Sequence, residues 1–189
     1  MEDENDTVAV VAGRYFCAPY PIELTLQKGG KDFIITDSNG NIVLIVAAFH
    51  GKRLLQDDKG NVLLTMRKKK LSMHKRWEAY KGRTSAHKKL LFTAKKSSMF
   101  QLKTVLDVFL LSNFDQKHSD FRVKGSYLQR DCTIYRGKRV VAEMKRKYTT
   151  TNAVMEKDTF VVVVEPGIDC AFIVCLVVIL DRITRKSQG

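Results

Sequence analysis

Between Asp169 and Asp181 the chain runs through eleven consecutive apolar residues, Cys-Ala-Phe-Ile-Val-Cys-Leu-Val-Val-Ile-Leu. Pro166-Gly167 precedes the run, Asp169 is placed to cap a helix N-terminus, and Arg182, Arg185 and Lys186 suit a helix C-terminal dipole. The Val and Ile content alone favours a strand, but the boundary residues mark a helix over 169–181. A helix apolar on every side must be buried all round. A bilayer crossing needs ~20 apolar residues, and this run reaches roughly 14 with its flanks. A β-barrel with a helix through its lumen needs only this length. The barrel interior is the leading environment, ahead of a membrane anchor and a buried strand.

The rest of the chain supplies strands for such a barrel. From Phe33 onward the hydrophobic period is mostly two. Segments 33–36 and 41–47 flank Asp37-Ser38-Asn39-Gly40, and segments 53–56 and 62–66 flank Asp57-Asp58-Lys59-Gly60. Both connections lead into Gly-Asn, and glycine supplies the positive φ of tight hairpins. The twenty-residue spacing of Gly40 and Gly60 reads as two consecutive hairpins. Segments 76–80, 90–94, 102–111, 121–124, 132–135, 140–144 and 160–164 also read as strands. Turn signals stand at Lys81-Gly82, Lys124-Gly125-Ser126, Arg136-Gly137 and Pro166-Gly167. Frequent strands with no helical pattern between them indicate an antiparallel barrel or sandwich. With 189 residues and 44% hydrophobic content, one domain with a sizeable core is expected, over 15–186 behind a flexible acidic tail at 1–14.

Charge is concentrated. The sequence carries 33 Lys and Arg against 20 Asp and Glu; residues 67–103 hold 13 of the basic residues and only one acid, Glu78. The remainder, 20 basic against 19 acidic, is nearly balanced. Such an excess calls for an acidic partner: anionic lipid, nucleic acid or an acidic protein.

Several ordered blocks resemble the plant LURP-one-related proteins, whose fold is similar to the tubby C-terminal domain and the phospholipid scramblases. They are Cys17-Ala-Pro-Tyr-Pro21, Ser72-Met73-His74-Lys75-Arg76-Trp77, Lys96-Ser97-Ser98-Met99 running on to Leu102-Lys103-Thr104, Asp107-Val108-Phe109-Leu110, Asp120 to Ser126, and Asp169 to Asp181. The resemblance covers roughly residues 15–186. It implies a mainly β fold: a closed antiparallel barrel of about twelve strands around a central hydrophobic C-terminal helix. It also implies kinship with membrane-tethered transcription regulators and lipid-handling proteins. Tubby domains bind phosphoinositide through a Lys-x-Arg pair, and Arg122-Val123-Lys124 has that alternation in reversed order. The scramblases' cysteine-rich palmitoylation stretch and calcium-binding carboxylates have no counterpart here, which argues against scramblase activity.

The candidate ligand-binding residues are Arg67, Lys68, Lys69, Lys70, Lys75, Arg76, Lys88, Lys89, Lys95, Lys96, Arg122 and Lys124. In the 121–124 strand Arg122 and Lys124 should face outward while Phe121 and Val123 face the core. Lys145-Arg146-Lys147 is a second basic cluster, expected to be exposed. The bland reading of all these groups is a set of solvated hairpin ends. Trp77 reads as a core residue rather than a stacking platform.

Catalysis is not expected. His50, His74, His87 and His118 have no metal-ligand spacing, and no nucleophile elbow, P-loop or dinucleotide fingerprint occurs. Cys17, Cys132, Cys170 and Cys175 form no Cys-x-x-Cys pair and read as buried free thiols in a reducing compartment. No cofactor is expected. The acidic N-terminus argues against a signal peptide, Glu2 excludes N-myristoylation, and no prenylation box is expected at the C-terminus. The expected protein is a cytoplasmic, monomeric, non-enzymatic module, peripheral on anionic membrane or phosphoinositide. A nuclear or nucleic-acid-binding role is the rival reading. A protein-interaction scaffold in plant defence or stress signalling is the third.

Overall fold

Hairpin chemistry starts the sheet. Asp37 Oδ1 accepts the amides of Asn39 and Asn41, both at 2.9 Å, and Asp57 Oδ1 accepts those of Lys59 and Asn61 at 3.0 and 2.8 Å. Gly40 and Gly60 follow at φ 82 and 84. The two turns are copies of one device, an aspartate folding the chain over its own carboxylate. The side-chain bond from Asn41, then its amide, holds the Asp37 carboxyl below its ordinary value; Asn61 does the same for Asp57.

A computed structural model describes residues 10–72, 76–100, 103–147 and 158–185. Its strands are β1 (Ile22–Gly29), β2 (Asp32–Thr36), β3 (Ile42–Phe49), β4 (Lys52–Asp57), β5 (Val62–Lys68), β6 (Trp77–Lys81), β7 (Leu90–Phe100), β8 (Lys103–Leu110), β9 (Phe121–Ser126), β10 (Asp131–Arg136), β11 (Arg139–Arg146) and β12 (Thr159–Val164). Each pairs antiparallel with the next, and β12 closes on β1, with Ile22 opposite Val164. The barrel therefore has no free edge to protect. The helix α1 (Cys170–Arg185) runs through it. The expected architecture is the one observed.

Alternation fills the lumen. Leu24 and Leu26 of β1, Phe33 and Ile35 of β2, Leu64 and Met66 of β5, and Val162 and Val164 of β12 are all buried. They meet a helix whose residues 170–181 are buried without exception. Phe172 packs edge-on to Phe92 of β7 and Phe121 of β9, with ring centres 5.1 and 4.9 Å away. Among the described residues no helix is long and apolar enough to cross a membrane.

Two carboxylates fix the helix along the barrel axis. At its start, Asp169 Oδ1 accepts the Phe172 amide at 3.0 Å, so Asp169 caps as the sequence suggests. Its other oxygen, Oδ2, accepts three successive amides from the N-terminal segment, Val11, Ala12 and Gly13, at 3.0, 2.6 and 3.1 Å. Near the helix end, buried Asp181 accepts a hydrogen bond from the buried Lys28 ammonium.

Three local readings are corrected. Strand β1 lies before the point where the period-two pattern was recognised. The third inward position of that strand is Lys28, which breaks the apolar alternation because it serves Asp181. Strand β7 runs on to Phe100 rather than stopping at Ala94, through the polar Lys95, Lys96, Ser97 and Ser98. Lys124-Gly125-Ser126 is strand, not turn: Gly125 pairs with Cys132 on one side and Thr104 on the other.

Gly125 is required by a close approach. Its φ is +132, and a Cβ there would stand 2.2 Å from the Asp131 carbonyl oxygen. Gly125→Ala is expected to force β9 and β10 apart and destabilise the domain by about 2–3 kcal/mol. Urea denaturation measures this, and Gly137→Ala serves as comparison, with open space around its Cβ.

Three cysteines, Cys132, Cys170 and Cys175, are buried, while Cys17 is half-buried. Burial pushes Cys132 and Cys170 up to about 12 and raises Cys175 as well. These thiols stay protonated and pack as small apolar groups.

Candidate functional site: basic surfaces at the two ends of the barrel

Antiparallel order sends successive connections to alternate ends. One end holds the C-terminal turn of α1, residues 69–72 and 76 between β5 and β6, the turn after β1 and the end of β11. This helix-C end carries Arg67, Lys68, Lys69, Lys70 and Arg76, together with exposed Lys31, Lys145, Arg146 and Lys147. The acids Asp32, Asp131 and Asp158 also lie there. Lys75 lies outside the described residues.

Glu78 divides the first basic run. Its Oε2 accepts from the Arg67 guanidinium at 3.3 Å and from the Tyr80 hydroxyl at 2.7 Å, and its Oε1 stands 3.7 Å from the Lys69 ammonium. Arg67 also donates to the Tyr80 hydroxyl at 2.8 Å and covers its ring. Burial, then the Glu78 bond, raises the Tyr80 phenol. Arg67 and Lys69 are thus tied to the barrel wall. Lys68 and Lys70 are exposed, and no ion pair holds either among the described residues.

Sequence reasoning missed Leu71. It follows Lys70, is 105% exposed and sits on left-handed backbone at φ 57. That conformation costs an ordinary residue about 1–2 kcal/mol. The strand pattern stops before this position, so no periodicity marks it.

The other expected residues are scattered. Lys88 and Lys89 form a short 3-10 turn in the β6–β7 connection, which starts from the opposite end. That connection folds against the outer wall: Lys52 Nζ reaches Ser85 Oγ at 3.5 Å, and Arg83 stacks over Phe49 at 5.9 Å. Lys95 and Lys96 lie midway along β7, with Lys95 over the Phe109 ring at 5.1 Å.

Arg122 and Lys124 face outward from β9 while Phe121 and Val123 face the core, as alternation demands. Arg122 Nε donates to Asp107 Oδ1 at 2.7 Å. Both basic residues line a cleft of about 440 Å³ with Lys117, His118, Tyr135 and Lys138. The 111–120 and 137–138 connections that rim it belong to the helix-N end. The basic stretch 67–103 is therefore spread over several surfaces, and this cleft is lined entirely by residues outside it. In sequence, Arg136-Gly137-Lys138 shows only a turn, and Lys117-His118 only an isolated pair.

Fold and surface together define a closed meander barrel threaded by its own C-terminal helix and bearing basic faces at both ends. A family model described as LURP-one-related matches residues 23–181. Protein LURP-one-related 15 of Arabidopsis thaliana is 45% identical over 191 residues, 95% of this chain and 88% of that protein. LURP-one-related 10 is 44% identical, over 92% of this chain and 95% of its own length, and LURP1 is 37% identical, over 94% and 91%. An X-ray structure of an Arabidopsis thaliana protein superposes with a TM-score of 0.74 at 38% identity, covering 92% of this chain and 98% of that one. The chain belongs to the LURP-one-related family.

Proposed function

We propose that the protein is a non-enzymatic module that docks on anionic membrane, phosphoinositide-bearing membrane included, through the β5–β6 tip at the helix-C end. The observation that carries this reading is Leu71: a fully exposed leucine held on strained backbone directly after Lys68, Lys69 and Lys70. Strain of this kind persists where the local structure uses it. A basic tip draws the protein to an anionic surface at about 1 kcal/mol per residue in reach, and an exposed apolar side chain beside those lysines enters the interface. The resemblance to phosphoinositide-binding tubby domains is consistent with this chemistry. Nucleic-acid binding by base stacking loses support, because Trp77 and Tyr80, the aromatics interleaved with the basic stretch, are buried.

Vesicle flotation tests the reading. The native chain is expected to float with vesicles containing phosphatidylserine or phosphoinositide at physiological salt, and not with neutral ones. Lys68→Glu with Lys70→Glu should weaken binding at least about tenfold, and Leu71→Asp should weaken it further, with the melting temperature unchanged. Failure of the native chain to float, or flotation of the charge-reversed variant at native strength, overturns the proposal. A gel shift with nucleic acid in place of flotation would establish the rival.

A further inference from the structure

The cleft beside β9 has the features of a built anion site. Lys117, Arg122, Lys124 and Lys138 converge on about 440 Å³, with His118 at the rim, and among the described residues no carboxylate lines it. Its parts are positioned before any ligand arrives. Asp107, itself buried, holds the Nε edge of Arg122 and leaves the rest of the guanidinium fork to the cleft. The Lys124 ammonium is placed over the Tyr135 ring, 5.4 Å from its centre.

The rim is equally ordered. Asp120 Oδ2 accepts the Leu110 amide at 2.8 Å and the Asn113 side-chain amide at 3.0 Å. Asn113 in turn donates to the His118 carbonyl at 2.8 Å and accepts the Gln116 amide at 3.1 Å. This network folds the 111–120 connection so that Lys117, His118 and Ser119 border the cleft.

The lining is polar and cationic, with one aromatic ring. A phosphate group suits the lysines and the Arg122 fork, and a hydroxylated ring suits Tyr135 and Ser119 better than an apolar body would. We propose that this cleft binds a phosphorylated small polyol, a sugar phosphate or a headgroup of that chemistry. The cleft opens at the helix-N end, away from the β5–β6 tip. A chain docked by that tip therefore presents the cleft to solvent, which favours the soluble source. The preference for a soluble source rests on that docking; the phosphate chemistry of the cleft does not.

The test is an amide NMR titration of the full chain. Fructose 1,6-bisphosphate is expected to shift the amides of Lys117, His118, Arg122 and Gly137, inorganic phosphate to do so more weakly, and unphosphorylated fructose not at all. Vesicles carrying a phosphorylated-inositol lipid form the second arm. Cleft shifts or broadening with vesicles alone would assign the same phosphate chemistry to a lipid headgroup. Lys117→Ala with Lys138→Ala should weaken bisphosphate binding about tenfold or more and leave the melting temperature unchanged, since both lysines are exposed. Arg122 is spared in this test because removing it strands Asp107. Lys68→Glu with Lys70→Glu should leave cleft binding intact. The proposal falls if no phosphate probe perturbs the cleft, if fructose perturbs it equally, or if the Lys117/Lys138 variant binds at native strength.

Discussion

Ile173→Asp is expected to leave no folded domain. Ile173 is fully buried, one turn into a helix whose residues 170–181 are all buried. The side chain belongs to the buried apolar cluster of strand and helix side chains, and the inward cations that could pair a carboxylate, Lys28 and Arg53, are engaged with Asp181 two turns further along the helix. Burying an unpaired charge costs more than the 4–5 kcal/mol that marks the upper tail of point mutations. A domain of this size has about 5–15 kcal/mol in total. Loss of near-UV circular dichroism and of a cooperative melt would show the effect. Tyr15→Asp, at a residue 93% exposed, should melt as the native chain does. A folded Ile173→Asp protein that merely failed to associate with membrane would return the helix to the role of an anchor.

The second large effect is expected at the other end of the helix. Lys28→Met should cost about 3 kcal/mol, the usual penalty for stripping one partner from a buried ion pair. Asp181→Asn should cost at least as much, for a reason visible in the surroundings. Asp181 is the anion among several cations: Lys28 bonds to it, and its charge also acts on Arg53, a residue only 3% exposed. Burial, then the Arg182 charge, lowers the Arg53 pKa, and Asp181 opposes that shift. Without Asp181, the cations face one another in a closed space. Urea denaturation of the two variants ranks them. A milder loss for Asp181→Asn than for Lys28→Met would show that Arg53 does not depend on this carboxylate.

How far the sequence revealed these features depended on whether a signal was local. The helix was legible because length, uniform apolarity and end charges all lie within one segment. The hairpins at Asp37 and Asp57 were legible because each turn is built by one aspartate on its own neighbours. Lys28 was not: its partner is 153 positions away, and a charged residue at an inward position reads locally as the end of a strand. Gly125 signalled a turn because glycine usually does, whereas here the Asp131 carbonyl occupies the space of a side chain. The basic stretch was visible as composition, but antiparallel strands spread it over one end, the outer wall and the middle of β7. The cleft draws on three separate segments, and their meeting is a property of closure alone.

Placing the core element after all twelve strands has a consequence for synthesis. Ribosomes deliver the chain N-terminus first, at roughly 5–20 residues per second. Every strand therefore emerges before the segment that fills the space between them. Leu24, Phe33, Met66, Phe92 and Val162 have nothing native to cover them until 170–181 leaves the exit tunnel, and even the Val11–Gly13 amides wait for Asp169. Closure of this barrel is expected to come late in synthesis, with the inward strand faces exposed to aggregation until then.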